Sequence, residues 1–233
     1  MKEIALEYLE RNRVLYMAMI FPIKRGTVNI IYAGQDGAFI KDMESGVSMI
    51  AIDNLDKGKE LLDGVLKPVH ICVYRKDIAE YLYEKYGYRK YVENVQAVYM
   101  NKSYVEVKSQ NLKIELLTLA NLDWVYENYC DQLDYSYLKS RIENGAIYGG
   151  RLEGELCGFI GVHADGSIGI LKVLEKFRGL GLALELEGNM INTLLKRGDI
   201  PFSQIEFDNE ASIGLHKKLG FEISKDTLYR LID

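Results

Sequence analysis

Arg178, Gly179 and Gly181 form the segment most able to do chemistry. They stand between an extended apolar run, residues 170–174, and a helical pattern in which Leu182, Leu186, Met190 and Leu194 recur every fourth residue. Glycines let the backbone approach a ligand closely, and the first N–H groups of a helix have no partner within the helix. The positive end of the helix dipole attracts anions, so this turn can cradle a pyrophosphate, with Arg178 adding a fixed charge. The spacing is neither G-x-G-x-x-G nor a P-loop ending in Gly-Lys-Ser/Thr. An ordinary strand-to-helix turn containing glycine has the same pattern.

The elements that would position this loop are legible from periodicity. Residues 3–9 have a helical pattern, and residues 28–33, 38–43 and 47–52 read as strands at hairpin spacing. Asn54 is placed to cap a helix through Leu66, a strand follows at 70–74, and Asp77 is placed to cap a helix ending at Gly87. A long strand at 89–100 closes the first half. The second half repeats the order. A strand lies at 113–117, helices open at Asn121 and Asp134, and strands run at 146–152, 155–163 and 167–174. The loop and its helix follow, ending at Gly198, then a strand at 203–207, a helix at 211–219 and a strand at 221–232. Tyr-Leu-Tyr-Glu-Lys-Tyr-Gly-Tyr at 81–88 aligns without gaps on Gly-Leu-His-Lys-Lys-Leu-Gly-Phe at 214–221, which supports an internal repeat. The expected domains are 1–105 and 106–233, each a mixed α/β (α+β) unit whose mostly antiparallel sheet is flanked by helices.

The run Arg178-x-x-Gly181-x-Ala183 resembles the coenzyme A pyrophosphate loop of the GNAT N-acetyltransferase superfamily. Downstream, Asp208-Asn-Glu-Ala-Ser-Ile-Gly-Leu-His-Lys-Lys-Leu-Gly-Phe221 resembles the second signature of that family. The runs at 167–173 and 209–212 look closest to the glycine N-acyltransferase-like subgroup. The resemblance implies tandem GNAT-like domains and transfer of an acyl group from acetyl-CoA to a primary amine of a small molecule or amino acid. It implies that Leu171, Lys172 and Val173 hold the thioester and pantetheine through their backbone. Arg178, Gly179, Leu180, Gly181, Leu182 and Ala183 would hold the pyrophosphate, joined by Asn209 and Ser212.

Where the family has a tyrosine that serves the departing sulfur, this chain has His216. A histidine can donate a proton near neutrality. Ser212, one turn earlier, is a second donor, and an exposed helical histidine beside Lys217 and Lys218 is the plainer alternative for His216. Ser167 stands where the subgroup tends to have a carboxylate, leaving His163, Asp165, Glu206 and Asp208 as nearby candidates for a base. The acceptor would meet residues 124–141, with Trp124, Tyr126, Tyr129 and Tyr135 among Glu127, Asp131 and Asp134. Aromatics beside carboxylates suit a cationic amine, and aromatics at helical spacing equally suit packing.

In the first half, Asp53 and Asp56 stand where a pyrophosphate would need positive charge, so that half reads as a degenerate GNAT-like domain without a cofactor loop. Tyr83 there occupies the position of His216. A catalytically weak acyl-CoA-binding regulatory module is the alternative function.

Composition narrows the partners. The chain has 233 residues, 29 basic and 34 acidic, and the net charge of −5 argues against nucleic acid or a polybasic membrane surface. Basic and acidic residues number 15 and 14 up to Tyr104, against 14 and 20 from Glu106 onward. Cys72, Cys130 and Cys157 are widely spaced, which fits a reducing compartment and no zinc site. The most apolar run, residues 14–23, is too short to span a membrane and contains Pro22. A cytoplasmic monomer or homodimer without metal is expected.

Overall fold

A computed structural model describes residues 1–107, 111–129 and 133–233. It divides into two compact units, each drawing on several stretches of chain: Met1–Val98, Gln204–Ile213 and Glu222–Asp233 in the first, and Tyr99–Ser203 with Gly214–Phe221 in the second.

The first unit opens with α1 (Lys2–Leu9) and α2 (Met17–Arg25). Periodicity did not reveal α2, because its run is apolar on nearly every side and contains a proline. Met17, Ala18, Met19, Ile20 and Ile23 are all buried, the pattern of an enclosed helix, and Gly26 ends it in the left-handed conformation. Strands β1 (Val28–Gly34), β2 (Gly37–Asp42) and β3 (Ser48–Ile52) form an antiparallel meander. Helix α3 (Leu55–Asp63) follows, capped by Asn54 Oδ1 accepting from the Lys57 N–H at 3.0 Å. Next come β4 (His70–Val73), α4 (Lys76–Tyr86) and β5 (Lys90–Val98). Asp77 sits in the first turn of α4 rather than at its cap, which is Arg75; its carboxylate accepts from Arg75 Nε at 2.7 Å and from the Ile78 N–H at 2.9 Å. The Arg75 guanidinium holds the Asp77 carboxyl below its ordinary range.

The second unit has β6 (Lys113–Leu116), α5 (Leu122–Tyr129), α6 (Tyr135–Glu143), β7 (Ile147–Leu152), β8 (Glu155–Val162), β9 (Ile168–Val173) and α7 (Leu182–Lys196). Strand β10 (Phe202–Glu206), α8 (Glu210–Leu219) and β11 (Glu222–Ile232) complete the chain. The tight turn at Glu153–Gly154, both at positive φ, forms the β7–β8 hairpin expected from sequence.

Two sheets result. One has seven strands in the order β1-β2-β3-β4-β11-β5-β10, with β3 and β4 parallel, and the other has four antiparallel strands in the order β6-β7-β8-β9. Strand β11 lies between β4 and β5, pairing Tyr229 with both Val73 and Glu93. The expected class, mixed and mostly antiparallel sheets with flanking helices, is the class observed. In the first unit Phe39, Ile50, Ile71, Val73 and Leu231 pack with Leu62 of α3 and Ile78 of α4. In the second, Phe159, Ile147 and Ile170 pack beneath Val125 of α5 and Leu138 of α6, while α7 lies against β8 and β9. Among the described residues no helix is long and apolar enough to cross a membrane. Cys72 and Cys157 are buried and in no disulfide, and Cys130 and Asp131 lie outside the described residues.

Candidate functional site

The loop singled out from sequence is held open at the edge of the four-stranded sheet. Strand β9 is the edge strand, and its pairing with β8 is irregular: Gly161 meets Gly169 and Phe159 meets Lys172, so Ile170 and Leu171 together oppose Ile160. Ile170 has φ +53°, a conformation that costs a β-branched residue roughly 1–3 kcal/mol. Such a bulge takes backbone groups out of the ladder and re-aims them. Sequence reasoning placed ligand-binding backbone at Leu171, Lys172 and Val173; the distortion begins one residue earlier, at Ile170, and nothing in the residue type announces it.

After β9 a single 3-10 turn over Glu175–Phe177 leads to Arg178. Gly179 and Gly181 have φ +81° and +78°, and a side chain built on either would touch nothing within 4 Å. Glycine is required here by backbone conformation alone. Gly181 is the N-cap of α7 and supplies no side-chain cap, so the N–H groups of Leu182 and Ala183 precede the first intrahelical bonds. Arg178, Leu180 and Gly181 are exposed, and Arg178 Nη1 lies 3.3 Å from Glu175 Oε1. A bulged edge strand, an exposed arginine and an uncapped helix start are therefore continuous in the chain. The arrangement fits a group with an extended polar arm and a pyrophosphate, as coenzyme A has.

In the first unit the helix that follows β3 begins differently. The start of α3 is already satisfied by Asn54, Asp56 stands in its first turn, and Arg75 Nη1 donates to the Asp53 carbonyl across the ends of β3 and β4. Tyr8 Oη donates to Asp53 Oδ1 at 2.6 Å, and burial together with this carboxylate pushes its phenol pKa up.

His216 is not the exposed helical residue that its lysine neighbours suggested. It is 4 % exposed, with its ring edge on Phe221 at 4.7 Å between centroids. Its Nε2 lies 2.8 Å from Ser203 Oγ and 2.8 Å from Glu187 Oε1, and Glu187 is itself 1 % exposed. Neither carboxylate oxygen of Glu187 has a partner of hydrogen-bond geometry among the described residues, so its contact with Nε2 is one of proximity. Nε2 shares a hydrogen bond with Ser203 Oγ. Neither Glu187 nor Ser203 was singled out from sequence. Glu187 sits within an apolar helical stripe, and that placement was the available signal. Asn209 Oδ1 accepts from the Ser212 N–H at 3.0 Å, so Asn209 organises the start of α8.

Of the aromatic residues expected at the acceptor, Trp124 and Tyr129 pack edge-on against Phe159, at 5.5 and 5.8 Å. Burial pushes the Tyr129 phenol up to about 12. Tyr126 packs edge-on against Tyr135 at 5.2 Å, and Tyr135, the most exposed of the four, donates to Asp123 Oδ1 at 2.9 Å.

Residues 145–231 match the family model described as FR47-like protein. No curated protein matches the sequence. Among solved structures, a Drosophila protein aligns with TM-score 0.70 and 13% identity over 100% of this chain and 95% of its own. A GCN5-related N-acetyltransferase from Kribbella flavida aligns at TM-score 0.61 and 12% identity, covering 94% and 95%. A GCN5-related N-acetyltransferase-like protein from Streptococcus suis aligns at 0.57 and 16%, covering 97% and 99%. The chain thus resembles these N-acetyltransferase structures in fold along its length, and residues 145–231 resemble the FR47-like family.

Proposed function

We propose that this protein is a coenzyme A-dependent N-acyltransferase that moves an acetyl group to a primary amine of a small molecule or amino acid by direct attack in a ternary complex. The observation carrying this reading is the continuity of the Ile170 bulge, the left-handed Gly179 and Gly181, and the uncapped start of α7. Leu171, Lys172 and Val173 would hold the pantetheine and thioester through their backbone, and residues 178–183 the pyrophosphate. Bound there, acetyl-CoA supplies an acyl thioester. The bulged backbone would stabilise charge developing on the carbonyl oxygen, where fixed dipoles are most effective. Trp124, Tyr126, Tyr129 and Tyr135 would border the acceptor. The first half, residues 1–105, would be a degenerate copy whose cofactor place is closed by Arg75 and Asp53.

A second reading, a catalytically weak acyl-CoA-binding regulatory module, is favoured by one observation. His216, expected with Ser212 to serve the sulfur, has Nε2 turned to Glu187 and Ser203. Donation from that nitrogen to sulfur would compete with a buried carboxylate. Thiol release from acetyl-CoA, assayed with amino acids, polyamines and aminoglycosides, separates the two. Acceptor-dependent release supports the transferase, and tight coenzyme A binding without it supports the module.

A further inference from the structure

A buried patch of amide side chains lies on one face of the seven-stranded sheet, within the first unit. Asn94 of β5 is 0 % exposed, and among the described residues neither its Nδ2 nor its Oδ1 has a hydrogen-bond partner. The Nε2 of Gln204 on β10 is buried and in the same condition. The Phe207 N–H donates to the Glu93 carbonyl and the Tyr99 N–H to the Pro201 carbonyl, each at 2.9 Å, which fixes the antiparallel register of β5 and β10. In that register Gln204 stands opposite Gln96 and Glu206 opposite Asn94, so Asn94 and Gln204 are diagonal neighbours on one face.

Diagonal neighbours in a sheet stand about 7–8 Å apart, near enough for two amide side chains to meet one small guest. Leu228 of β11, also buried, pairs with Asn94 from the other side. The ladder beside them is interrupted: β11 shifts register between Ile223 and Thr227, and Ser224 Oγ accepts there from the Gln96 N–H at 3.0 Å while donating to the Asp226 carbonyl at 2.7 Å. A buried amide left unbonded is destabilising, and native interiors satisfy such groups. Glu206 is exposed, and Asp42, the buried carboxylate of the first unit among the described residues, is committed to Thr27 Oγ1 and Ser45 Oγ at 3.1 and 2.5 Å. A charged guest would therefore meet no counter-charge.

We propose that Asn94 and Gln204 together hold a small neutral guest that both accepts and donates hydrogen bonds. Its oxygen takes an N–H from each amide, and its hydrogen goes to Asn94 Oδ1. Internal water has this chemistry, as does the hydroxyl or carboxamide end of a small solute. Water in protein interiors makes about three such bonds, to groups otherwise unbonded. The site is independent of acyl transfer and uses none of the residues proposed for it.

A crystal structure of the wild-type protein should show density within hydrogen-bond distance of both Asn94 Nδ2 and Gln204 Nε2; a dry gap between them overturns the site. Asn94→Leu and Gln204→Leu should each lower the urea midpoint. The double variant should fall little further than the more damaging single change, because either substitution expels the shared guest. Strictly additive losses, or a midpoint raised by Asn94→Leu, mean that the amides meet no common guest and overturn the proposal. Unfolding in urea, exhaustive dialysis and refolding separate the two sources. An unchanged midpoint assigns internal water, and a loss restored by adding back the small molecules released on unfolding assigns a solute. Either assignment supports the site.

Discussion

His216 Nε2 and Glu187 Oε1 lie 2.8 Å apart, with side-chain exposures of 6% and 1%. They join α8 to α7 inside the second unit, with Ser203 of β10 at the same nitrogen. Removing one partner leaves the other buried without its counterpart. Glu187→Ala and His216→Ala should therefore each lose about 3–5 kcal/mol in urea unfolding at neutral pH. Changing both together to apolar residues of similar volume should cost much less. Equal losses from the single and double changes would refute the pairing.

Gly179 and Gly181 have open space around them and positive φ. Gly179→Ala and Gly181→Ala should each cost about 1–2 kcal/mol from conformation alone, since no atom is displaced. Coenzyme A affinity should fall in both variants. Unchanged stability would mean that the loop does not hold these angles.

At Gly169 the opposite holds, because space is the constraint. Gly169→Ala should push against the His163 ring and lower stability by about 1–3 kcal/mol in urea unfolding. Unchanged stability would mean that the ring moves aside without cost.

Burial pushes the phenols of Tyr88 and Tyr129 up to about 12. Their unfolded counterparts ionise near 10. Between those values the unfolded chain binds fewer protons, so these groups make stability fall as pH rises from about 10 toward 12 and contribute no such dependence near neutrality. A spectrophotometric titration should show tyrosines that ionise only as the fold is lost. Coincident ionisation of all 17 near pH 10 would contradict it.

The sequence carried most of the elements and the outline of the loop because both depend on local signals. Gly181 before an apolar helix and Asn54 before α3 state their roles in residue type. Helix α2 was missed because an apolar run enclosed on all sides has no amphipathic period, and Pro22 read as a break. The Ile170 bulge was missed because an isoleucine is the least expected residue at positive φ. The burial of His216 depended on Glu187 and Ser203, 29 and 13 residues away, and local lysines pointed the other way. Tertiary context decided each of these.

Calorimetric titration of coenzyme A into the wild-type protein and Arg178→Glu bears most directly on the site. Arg178 is exposed and its pairing with Glu175 is solvent-bathed, so the substitution should leave folding intact. Saturable binding by the wild type and an affinity lowered by at least about tenfold in the variant, a difference of roughly 1.4 kcal/mol, is the expected result. No binding by the wild type, or equal binding by both, would contradict a pyrophosphate site at the start of α7.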